Sequence, residues 1–238
     1  MQAYESISTW RQEQPPAASP GRSALVREVA ERIHRLGPTR LRVAIDGYTA
    51  SGKTSFGHEL AAALRDLGRP TLRASFDDFK HPWRDARERG YDRVTGEGYY
   101  RNAYDFATAR DLLLEPAGPN GSGTVVLCGH DPLTGVDHRD FVVVAPDGGV
   151  LIVDSVFAFR PEYNAFWEYR IWLDVDPEAS LARGIERDTD REGGTEAAER
   201  LHRDRYHAAE ALYEAEVNPR ALADVVIDNR DFGRPRVM

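Results

Sequence analysis

The sequence predicts an α/β fold of the doubly wound type, in which helices cover both faces of a parallel sheet, and three observations support this prediction. Segments with strand-like and helix-like hydrophobic spacing alternate along the chain. A glycine-rich loop at residues 47–54 connects a predicted strand to a predicted helix. Residues 150–153 form a continuous apolar run, which is typical of a strand buried on both faces.

The first 22 residues contain several prolines and alanines, so we predict that residues 1–22 form an extended lead-in. The rest of the chain, residues 23–238, is predicted to be a single domain. Its first helix is expected to start at Ser23, which can act as an N-cap, and to stop at Gly37.

The next predicted elements flank the glycine-rich loop, with a strand at 41–46 and a helix at about 53–67. A second strand is predicted at 71–76. Residues 80–101 are polar, aromatic and glycine-containing, and are therefore predicted to be a loop. Residues 102–114 have helical spacing until prolines and glycines interrupt it.

A small β-hairpin is predicted at about 124–145, because two strand-like segments, 124–128 and 141–144, flank a stretch of turn-forming residues. Beyond it, predicted strands and helices alternate. The strands lie at 150–154, 169–175 and 224–227, and the helices at about 162–168, 177–187 and 195–216.

Composition excludes several classes of protein. The net charge of -8 argues against binding to the backbone of nucleic acid, but a local basic cleft can still hold a small anion. Mean hydropathy is -0.54 and no apolar run spans a bilayer, so no membrane partner is expected. The N-terminus lacks the pattern of a secretory signal. The single cysteine, Cys128, is predicted to be a buried thiol in a cytoplasmic protein.

The glycine-rich loop, Gly-Tyr-Thr-Ala-Ser-Gly-Lys-Thr, fits the phosphate-loop pattern G-x-x-x-x-G-K-[ST]. In such a loop, backbone N–H groups and the following helix N-terminus converge on phosphate oxygens. We predict that Lys53 contacts the β- and γ-phosphates of ATP and that Thr54 coordinates Mg²⁺. The predicted nucleotide-binding residues are Gly47, Tyr48, Thr49, Ala50, Ser51, Gly52, Lys53 and Thr54.

A phosphate loop occurs in motors, GTPases, transporters and kinases, and other segments favour a kinase. The base-reading run Asn-Lys-x-Asp of GTPases and the Leu-Ser-Gly-Gly-Gln run of transporter ATPases are both absent. Asp77 and Asp78 follow the second strand, where a carboxylate can orient an attacking hydroxyl or accept its proton. Asp154 ends a buried strand, at the position where a carboxylate holds Mg²⁺ or its water.

An arginine-rich segment at about 184–200 is predicted to be a lid. Arg183 and Arg187 are one helical turn apart and precede a polar stretch that contains glycine. A mobile lid of this kind neutralises charge on the transferring phosphoryl group and excludes water. Because 29 of the 31 basic residues are arginine, a solvated helix face is the alternative interpretation.

These motifs together resemble the uridine kinase family, which belongs to a wider group with phosphoribulokinase and pantothenate kinase. The matching segments lie between residues 41 and 229, at 43–54, 75–79, 103–106, 151–157, 181–188 and 224–229. The resemblance implies a five-stranded parallel sheet with a hairpin that helps to bind the nucleoside. It also implies that Asp77 is the catalytic carboxylate, that Asp154 is the acidic residue after the third core strand, and that Arg187 and Arg191 are lid arginines.

The departures from the family pattern lie on the acceptor side. Lys80 stands where an aromatic residue usually lines the nucleoside pocket, and Asn102 where an acidic residue is usual near the ribose. The usual Glu-Gly after the third strand is Asp154-Ser155. Asp105 or Asp131 would have to replace the missing acid. Kinase chemistry is therefore better supported than uridine as the acceptor.

The sequence thus predicts an ATP- and Mg²⁺-dependent kinase that acts on a hydroxyl of a small molecule. A uridine- or cytidine-like nucleoside is the first expectation, and another small alcohol, such as a pantothenate- or sugar-like acceptor, is the second. A regulatory protein that hydrolyses ATP slowly is the third. Lys80 favours an acceptor with a carboxylate or phosphate. The candidate acceptor-binding residues are Asp77, Lys80, His81, Trp83, Tyr99, Tyr100, His138, Arg139 and Arg160.

Overall fold

A computed structural model describes residues 3–10 and 17–238 of the chain, and all structural statements below concern these residues. The strands are β1 (Ala3–Glu5), β2 (Leu41–Gly47), β3 (Thr71–Ser75), β4 (Thr124–Val126), β5 (Val142–Val144), β6 (Val150–Asp154), β7 (Tyr169–Asp174), β8 (Val225–Asp228) and β9 (Arg236–Val237).

Seven of these strands form one twisted sheet in the order β1-β3-β6-β2-β7-β8-β9. Every neighbouring pair is parallel except β8 and β9, which are antiparallel. This arrangement confirms the predicted parallel α/β sheet. The five central strands correspond to the five that the resemblance implies, and β1 and β9 extend the sheet at its two edges.

The α-helices are α1 (Pro20–His34), α2 (Lys53–Asp66), α3 (Trp83–Arg89), α4 (Gly96–Asn102), α5 (Phe106–Ala109), α6 (Glu115–Ala117), α7 (Pro161–Asn164), α8 (Pro177–Glu192), α9 (Thr195–Leu201), α10 (Ala208–Val217) and α11 (Pro219–Leu222). A 3₁₀ helix covers Phe76–Phe79, and π-helical segments cover Arg110–Leu114 and His202–His207.

Two hydrophobic clusters cover the two faces of the sheet. Alternate residues of β6 belong to different clusters, with Val150 and Ile152 on one face and Leu151 and Val153 on the other, because successive strand residues point to opposite sides. Helices α1 and α2 contribute to the first cluster, and α4 and α10 to the second. No helix within the described ranges is long and apolar enough to cross a membrane.

The N-terminal region differs from the prediction of an extended lead-in. Helix α1 begins at Pro20 rather than after Ser23, and Ser19 is its N-cap, with Ser19 Oγ accepting a hydrogen bond from the Arg22 amide at 3.1 Å. Proline is well suited to the first turn because its missing N–H would be unpaired there. Strand β1 pairs with β3 and so joins the sheet. Residues 11–16 of the predicted lead-in lie outside the described residues.

The segment predicted as a loop at 80–101 contains two short helices, α3 and α4. Gly90 ends α3 in the left-handed conformation, and Thr95 caps α4 by accepting a hydrogen bond from the Gly98 amide at 3.0 Å. The predicted helix at 102–114 is also wrong at its start, because Asp105 caps α5 and the helix begins only after it. Both helices of the supposed loop are short, so hydrophobic spacing gave little signal for them.

Two predictions about the middle of the chain are confirmed. The hairpin exists, with Thr124 of β4 opposite Val144 of β5 and Val126 opposite Val142. Cys128 is buried, and this burial raises the pKa of its thiol to about 12.

Candidate functional site

The phosphate loop lies between the carboxyl end of β2 and the start of α2, as predicted. Gly47 has a φ of 147°, and a Cβ at this position would lie 2.5 Å from the Leu173 carbonyl oxygen. Gly52, the N-cap of α2, has a φ of 91°. Only glycine adopts these angles without strain, and only glycine leaves room beside β7, so the local sequence dictates the path of the loop.

Side chains from distant segments hold the loop in place. Ser180 Oγ of α8 donates to the Thr49 carbonyl at 2.6 Å, and Asn229 Nδ2 donates to the Ser51 carbonyl at 2.7 Å. Lys53 Nζ donates to the carbonyls of Gly47 and Tyr48, at 2.9 and 2.6 Å. These hydrogen bonds fix the path of the loop backbone, and a fixed set of donors is what electrostatic recognition of phosphate requires.

A buried glutamate contacts the phosphate loop, although the sequence analysis did not single it out. Glu210 of α10 accepts a hydrogen bond from the Thr49 amide at 2.5 Å. Burial raises the pKa of Glu210 to about 8, against the lowering effects of the Thr49 bond and of Lys53. Asp46, at the base of the loop, accepts from the Tyr213 hydroxyl at 2.6 Å, and burial raises its pKa to about 6. Both acids neighbour Lys53.

The predicted Mg²⁺ ligands meet beside the loop. Thr54 Oγ1 donates to Asp154 Oδ2 at 2.7 Å, while Asp154 Oδ1 forms an ion pair of 2.5 Å with Arg73 of β3. Hydroxyl and carboxylate oxygens are the donors that Mg²⁺ accepts, and two of them suit a cation that is completed by phosphate oxygens and water. The described part of the chain contains no group of three or more His, Cys, Asp or Glu side chains that could hold a metal ion.

A cavity of about 610 Å³ opens from the phosphate loop toward α3 and α4. Lys53, Thr54 and Asp154 line the part beside the loop, which we call the phosphate-loop end. A second part of the wall, which we call the acceptor end, is formed by Lys80, His81, Trp83, Arg87, Arg93, Tyr99 and Arg205. Asp77 also lines this cavity, so one space contains the predicted phosphate-binding residues and the predicted catalytic carboxylate.

Of the two adjacent aspartates, only Asp77 lines the cavity. Its Oδ1 forms an ion pair of 2.8 Å with Lys80 Nζ. Burial by itself raises the pKa of Asp77, but the charges of Lys80 and Lys53 outweigh it and hold this pKa below the ordinary value. Burial by itself lowers the pKa of Lys80, but Asp77, Tyr99 and Tyr206 together raise it above the ordinary value, so both groups are ionised at neutral pH. Lys80 therefore neutralises the negative charge of Asp77, the predicted catalytic carboxylate.

Asp78 has a different environment. It is only 2% exposed, and its Oδ2 accepts a hydrogen bond from the Ser6 hydroxyl at 2.6 Å. Burial raises the pKa of Asp78 to about 7. Its backbone carbonyl accepts hydrogen bonds from Gly129 and His130. Asp78 thus connects the N-terminal segment, the end of β3 and the hairpin region.

The predicted lid consists of the end of α8, Gly193 and Gly194, and α9. Arg187 Nε donates to Asp188 Oδ1 at 2.8 Å, and Arg191 pairs with the same oxygen at 3.1 Å. Both arginines line the cavity, whereas Arg183 donates to the backbone carbonyls of Asn229 and Arg230.

Gly184 is not a hinge of this lid. It is buried inside α8, and a Cβ there would lie 2.2 Å from His202 Cε1, so the glycine allows a close helix contact. His202 Nε2 in turn lies 2.9 Å from Asp188 Oδ2.

The N-terminal segment also reaches the cavity. The Thr9 amide and hydroxyl donate to the two carboxylate oxygens of Asp131, at 2.5 and 2.9 Å. Trp10 lines the cavity, and the guanidinium carbon of Arg191 lies 5.0 Å from the centre of the Trp10 ring. The prediction of a featureless lead-in therefore missed part of the site.

Comparisons with known proteins identify the fold. No protein-family model matches the sequence, and neither does any curated protein. Among solved structures, a proposed fructose transport system kinase from Silicibacter sp. TM1040 matches with a TM-score of 0.64 and 24% identity, over 82% of this chain and 94% of that one. A proposed uridine kinase from Bacillus stearothermophilus matches with a TM-score of 0.61 and 20% identity, over 84% and 96%.

The YGR205w protein is a third match, with a TM-score of 0.57 and 14% identity, over 90% of this chain and 95% of that one. The chain shares with these structures a mixed α/β fold of the P-loop kinase type. At these identities the likeness concerns the fold alone.

Three of the predicted acceptor-binding residues line neither the 610 Å³ cavity nor the cavity that adjoins it. Tyr100 is 1% exposed and belongs to the hydrophobic core under α4. Arg160 stacks on the Tyr100 ring at 4.6 Å and donates to the Tyr100 carbonyl at 2.5 Å. The His138 amide donates to the Gly129 carbonyl, and this residue does not line the cavity either. Tyr100 was predicted to lie in a loop and bind the acceptor, but it is a core residue of the short helix α4.

The other predicted acceptor-side residues do face open space. Lys80, His81, Trp83 and Tyr99 line the 610 Å³ cavity. His81 also lines an adjoining cavity of about 630 Å³, as does Arg139, which pairs with Asp137 at 2.6 Å. Burial lowers the pKa of His81.

Proposed function

We propose that this chain is an ATP- and Mg²⁺-dependent kinase that transfers the γ-phosphoryl group to a hydroxyl of a small molecule. The observation that supports this most strongly is the single cavity that contains Lys53, Thr54 and Asp77 together. Slow ATP hydrolysis needs no chamber beyond the phosphate loop. Here the cavity continues past Asp77 into the acceptor end, and its total volume of about 610 Å³ lies within the range of small-molecule sites.

The nucleotide would bind with its phosphates against the amides of the phosphate loop. Lys53 would exchange its bonds to the loop carbonyls for the β- and γ-phosphates. Thr54 and Asp154 would hold Mg²⁺, which when bound neutralises phosphate charge and orients the transferred group. Arg73 fixes the Asp154 carboxylate from behind, so its free lone pairs keep one orientation.

In the transfer step the acceptor oxygen forms a bond to the γ-phosphorus, the bond from that phosphorus to the bridging oxygen breaks, and ADP leaves. The hydroxyl proton passes to the carboxylate of Asp77. Because the pKa of Asp77 is held low, it is a weak base, and its main contribution is to orient the hydroxyl until the new bond makes the proton acidic. Arg187 and Arg191 offset charge on the phosphoryl group.

A uridine-like nucleoside is one candidate acceptor, and a sugar-like or pantothenate-like alcohol is the alternative. The proteins of similar fold include a proposed uridine kinase and a proposed fructose transport system kinase, in line with both. Trp83 and Tyr99 offer aromatic surface to a base. The acids that would have to hold the ribose are already engaged, since Asp105 caps α5 and Asp131 accepts from Thr9. We therefore expect weak uridine kinase activity, with a KM above the millimolar range.

A screen of ADP release tests the proposal. Purified protein with Mg²⁺ and ATP is offered nucleosides, sugars, pantothenate and small hydroxy acids. ADP release that depends on one of these acceptors supports a kinase, and equal release without any acceptor supports the regulatory ATPase instead.

Lys53→Ala should reduce turnover by several orders of magnitude while the far-ultraviolet circular dichroism spectrum is unchanged. Near-normal turnover in folded Lys53→Ala would contradict the phosphate-site assignment.

A further inference from the structure

We propose that the acceptor end contains a subsite for a compact oxyanion, formed by Arg93 and Arg205, and that the acceptor carries a phosphate or carboxylate group in addition to its hydroxyl. The burial and contacts of these arginines support the subsite. Its assignment to the acceptor rests on the proposed kinase function.

Arg93 is a buried arginine without a counter-ion. It is only 4% exposed, yet among the described residues no carboxylate forms an ion pair with it. One guanidinium nitrogen, Nη1, donates to the His81 carbonyl, and the buried Nε has no hydrogen-bond partner in the described structure. A buried charge without a counter-ion is costly, and proteins normally pair it. Arg93 lines the cavity, so a bound anion would supply the missing charge.

Arg205 lies beside Arg93, and Arg87 lines the same cavity. The guanidinium carbons of Arg93 and Arg205 lie 4.4 and 5.7 Å from the centre of the Trp83 ring, so one indole holds both groups. Arg205 Nε donates to the Val94 carbonyl at 2.8 Å. The ion pairs of the described residues include neither Arg205 nor Arg87. Both side chains line the cavity.

The acidic residues of the cavity cannot neutralise this cluster, because each has a partner elsewhere. Asp77 pairs with Lys80, Asp154 with Arg73, and Glu192 with Arg191. Asp131 accepts hydrogen bonds from Thr9. Outside the cavity, the charge of Arg205 influences Asp92, but this carboxylate accepts from the Val94 amide at 2.7 Å and from Thr95 in the turn before α4. In a chain of net charge -8, an unbalanced basic cluster is a local feature.

The chemistry of the cluster indicates the ligand class. Guanidinium groups present planar pairs of N–H donors, which match the oxygens of a phosphate or carboxylate. An acceptor held by its anionic group would reach toward Asp77 with its hydroxyl, and such anchoring turns binding energy into correct orientation. Lys80, which the sequence suggested as a partner for such an anionic group, instead forms an ion pair with Asp77.

The first test measures anion binding without turnover. The phosphate loop is saturated with Mg²⁺ and a non-hydrolysable ATP analogue, and inorganic phosphate is then titrated by calorimetry and by thermal unfolding. We expect the wild type to bind phosphate, and Arg93→Gln and Arg205→Gln each to weaken this binding by about ten- to hundredfold, the usual effect of one lost charged hydrogen bond. Arg203→Gln is the control, because Arg203 is exposed and pairs with Glu199 at 2.8 Å.

The second test uses matched acceptors, namely a sugar against its phosphate ester and a hydroxy acid against its neutral amide. We expect the anionic member of at least one pair to have the higher kcat/KM, and Arg205→Gln to remove most of the advantage. Comparing the two pairs separates phosphate from carboxylate.

Unchanged phosphate affinity in Arg205→Gln, or wild-type preference for both neutral acceptors, would overturn the subsite. If Arg93→Gln does not fold, Arg205→Gln decides. Phosphate binding that depends on Arg205, without ADP release for any acceptor, would support the subsite and contradict the proposed kinase function.

Discussion

At the scale of the residue, the adjacent carboxylates Asp77 and Asp78 differ in their surroundings and in their pKa values. Asp77 faces the cavity beside Lys80, and Asp78 is buried against Ser6. The 3₁₀ turn after β3 separates their directions, so adjacent carboxylates have opposite electrostatic environments. The pKa of one lies below its ordinary value, and the pKa of the other rises to about 7.

We therefore expect Asp77→Asn to lower kcat by about 10²–10⁴-fold, the usual contribution of a positioned acid or base, while ATP affinity is retained. Asp78→Asn should affect kcat far less, because Asp78 does not line the cavity. Steady-state kinetics and nucleotide binding by calorimetry measure both effects. Equal or reversed effects on kcat would mean that the catalytic carboxylate is wrongly assigned.

At the scale of the element, α8 and α9 carry the arginines of the predicted lid. Arg187 and Arg191 are partly exposed and share the buried Asp188, whereas the first half of α8 is fastened to the phosphate loop by Ser180. The two halves of the helix should therefore differ in how they respond to ligands. Gly193 and Gly194, between α8 and α9, adopt backbone conformations that favour glycine.

The prediction is that ATP and acceptor together slow amide hydrogen exchange in residues 187–200, because the arginines then contact phosphate. Residues 177–184 should change little and act as an internal reference. Exchange is followed by mass spectrometry with nucleotide alone, acceptor alone and both. No slowing in residues 187–200 with both ligands would reject a closing lid.

The N-terminal segment is a second element that completes the site. Strand β1 pairs with the edge of the sheet, and the Thr9–Asp131 bonds bring Trp10 to the cavity beside Arg191. Trp10 therefore lies beside the lid and lines the cavity in which we propose that the acceptor binds.

Trp10→Ala should raise the acceptor KM by about two- to twelvefold, which corresponds to an aromatic contact of about 0.5–1.5 kcal/mol, with nucleotide affinity unchanged. Phe141→Ala is a suitable control, because Phe141 is exposed and does not line the cavity. The KM values of both variants are compared at saturating ATP. An equal KM in wild type and Trp10→Ala would exclude a role for Trp10 in acceptor binding.

At the scale of the whole molecule, several buried carboxyl groups link stability to pH. Burial raises the pKa values of Asp46, Asp78 and Glu210 to about 6, 7 and 8. A raised pKa means that the folded state binds more protons than the unfolded chain. The stabilisation from these groups is complete below about pH 4, near the unfolded pKa values, and is lost as pH rises through the folded values.

We expect Asp78→Asn to flatten the decline in the free energy of unfolding between about pH 4 and pH 7, by on the order of 1.4 kcal/mol for each pK unit of the removed shift. Urea unfolding at several pH values in this interval measures the slope. Asp66→Asn, a change at an exposed aspartate, is the control. An unchanged slope in Asp78→Asn would show that Asp78 does not titrate in this interval.

The sequence alone determined the features that depend on neighbouring residues. The phosphate loop is one, because Gly47 and Gly52 permit angles that other residues avoid. The buried strand β6, which ends at Asp154, is another, because a continuous apolar run leaves a strand few other environments. The hairpin was predictable because turn-forming residues separate its two strand-like segments.

Only the tertiary structure decided which side chains meet across large separations in the chain. Glu210 reaches the Thr49 amide, and Arg73 reaches Asp154, through pairings that no spacing in the sequence encodes. Tyr100 enters the core because α4 packs on α10. Arg93 is buried without a counter-ion, and its contacts are with the Trp83 ring and the His81 carbonyl. Burial and charge pairing depend on the sum of distant contacts, and these are set only when the chain has folded.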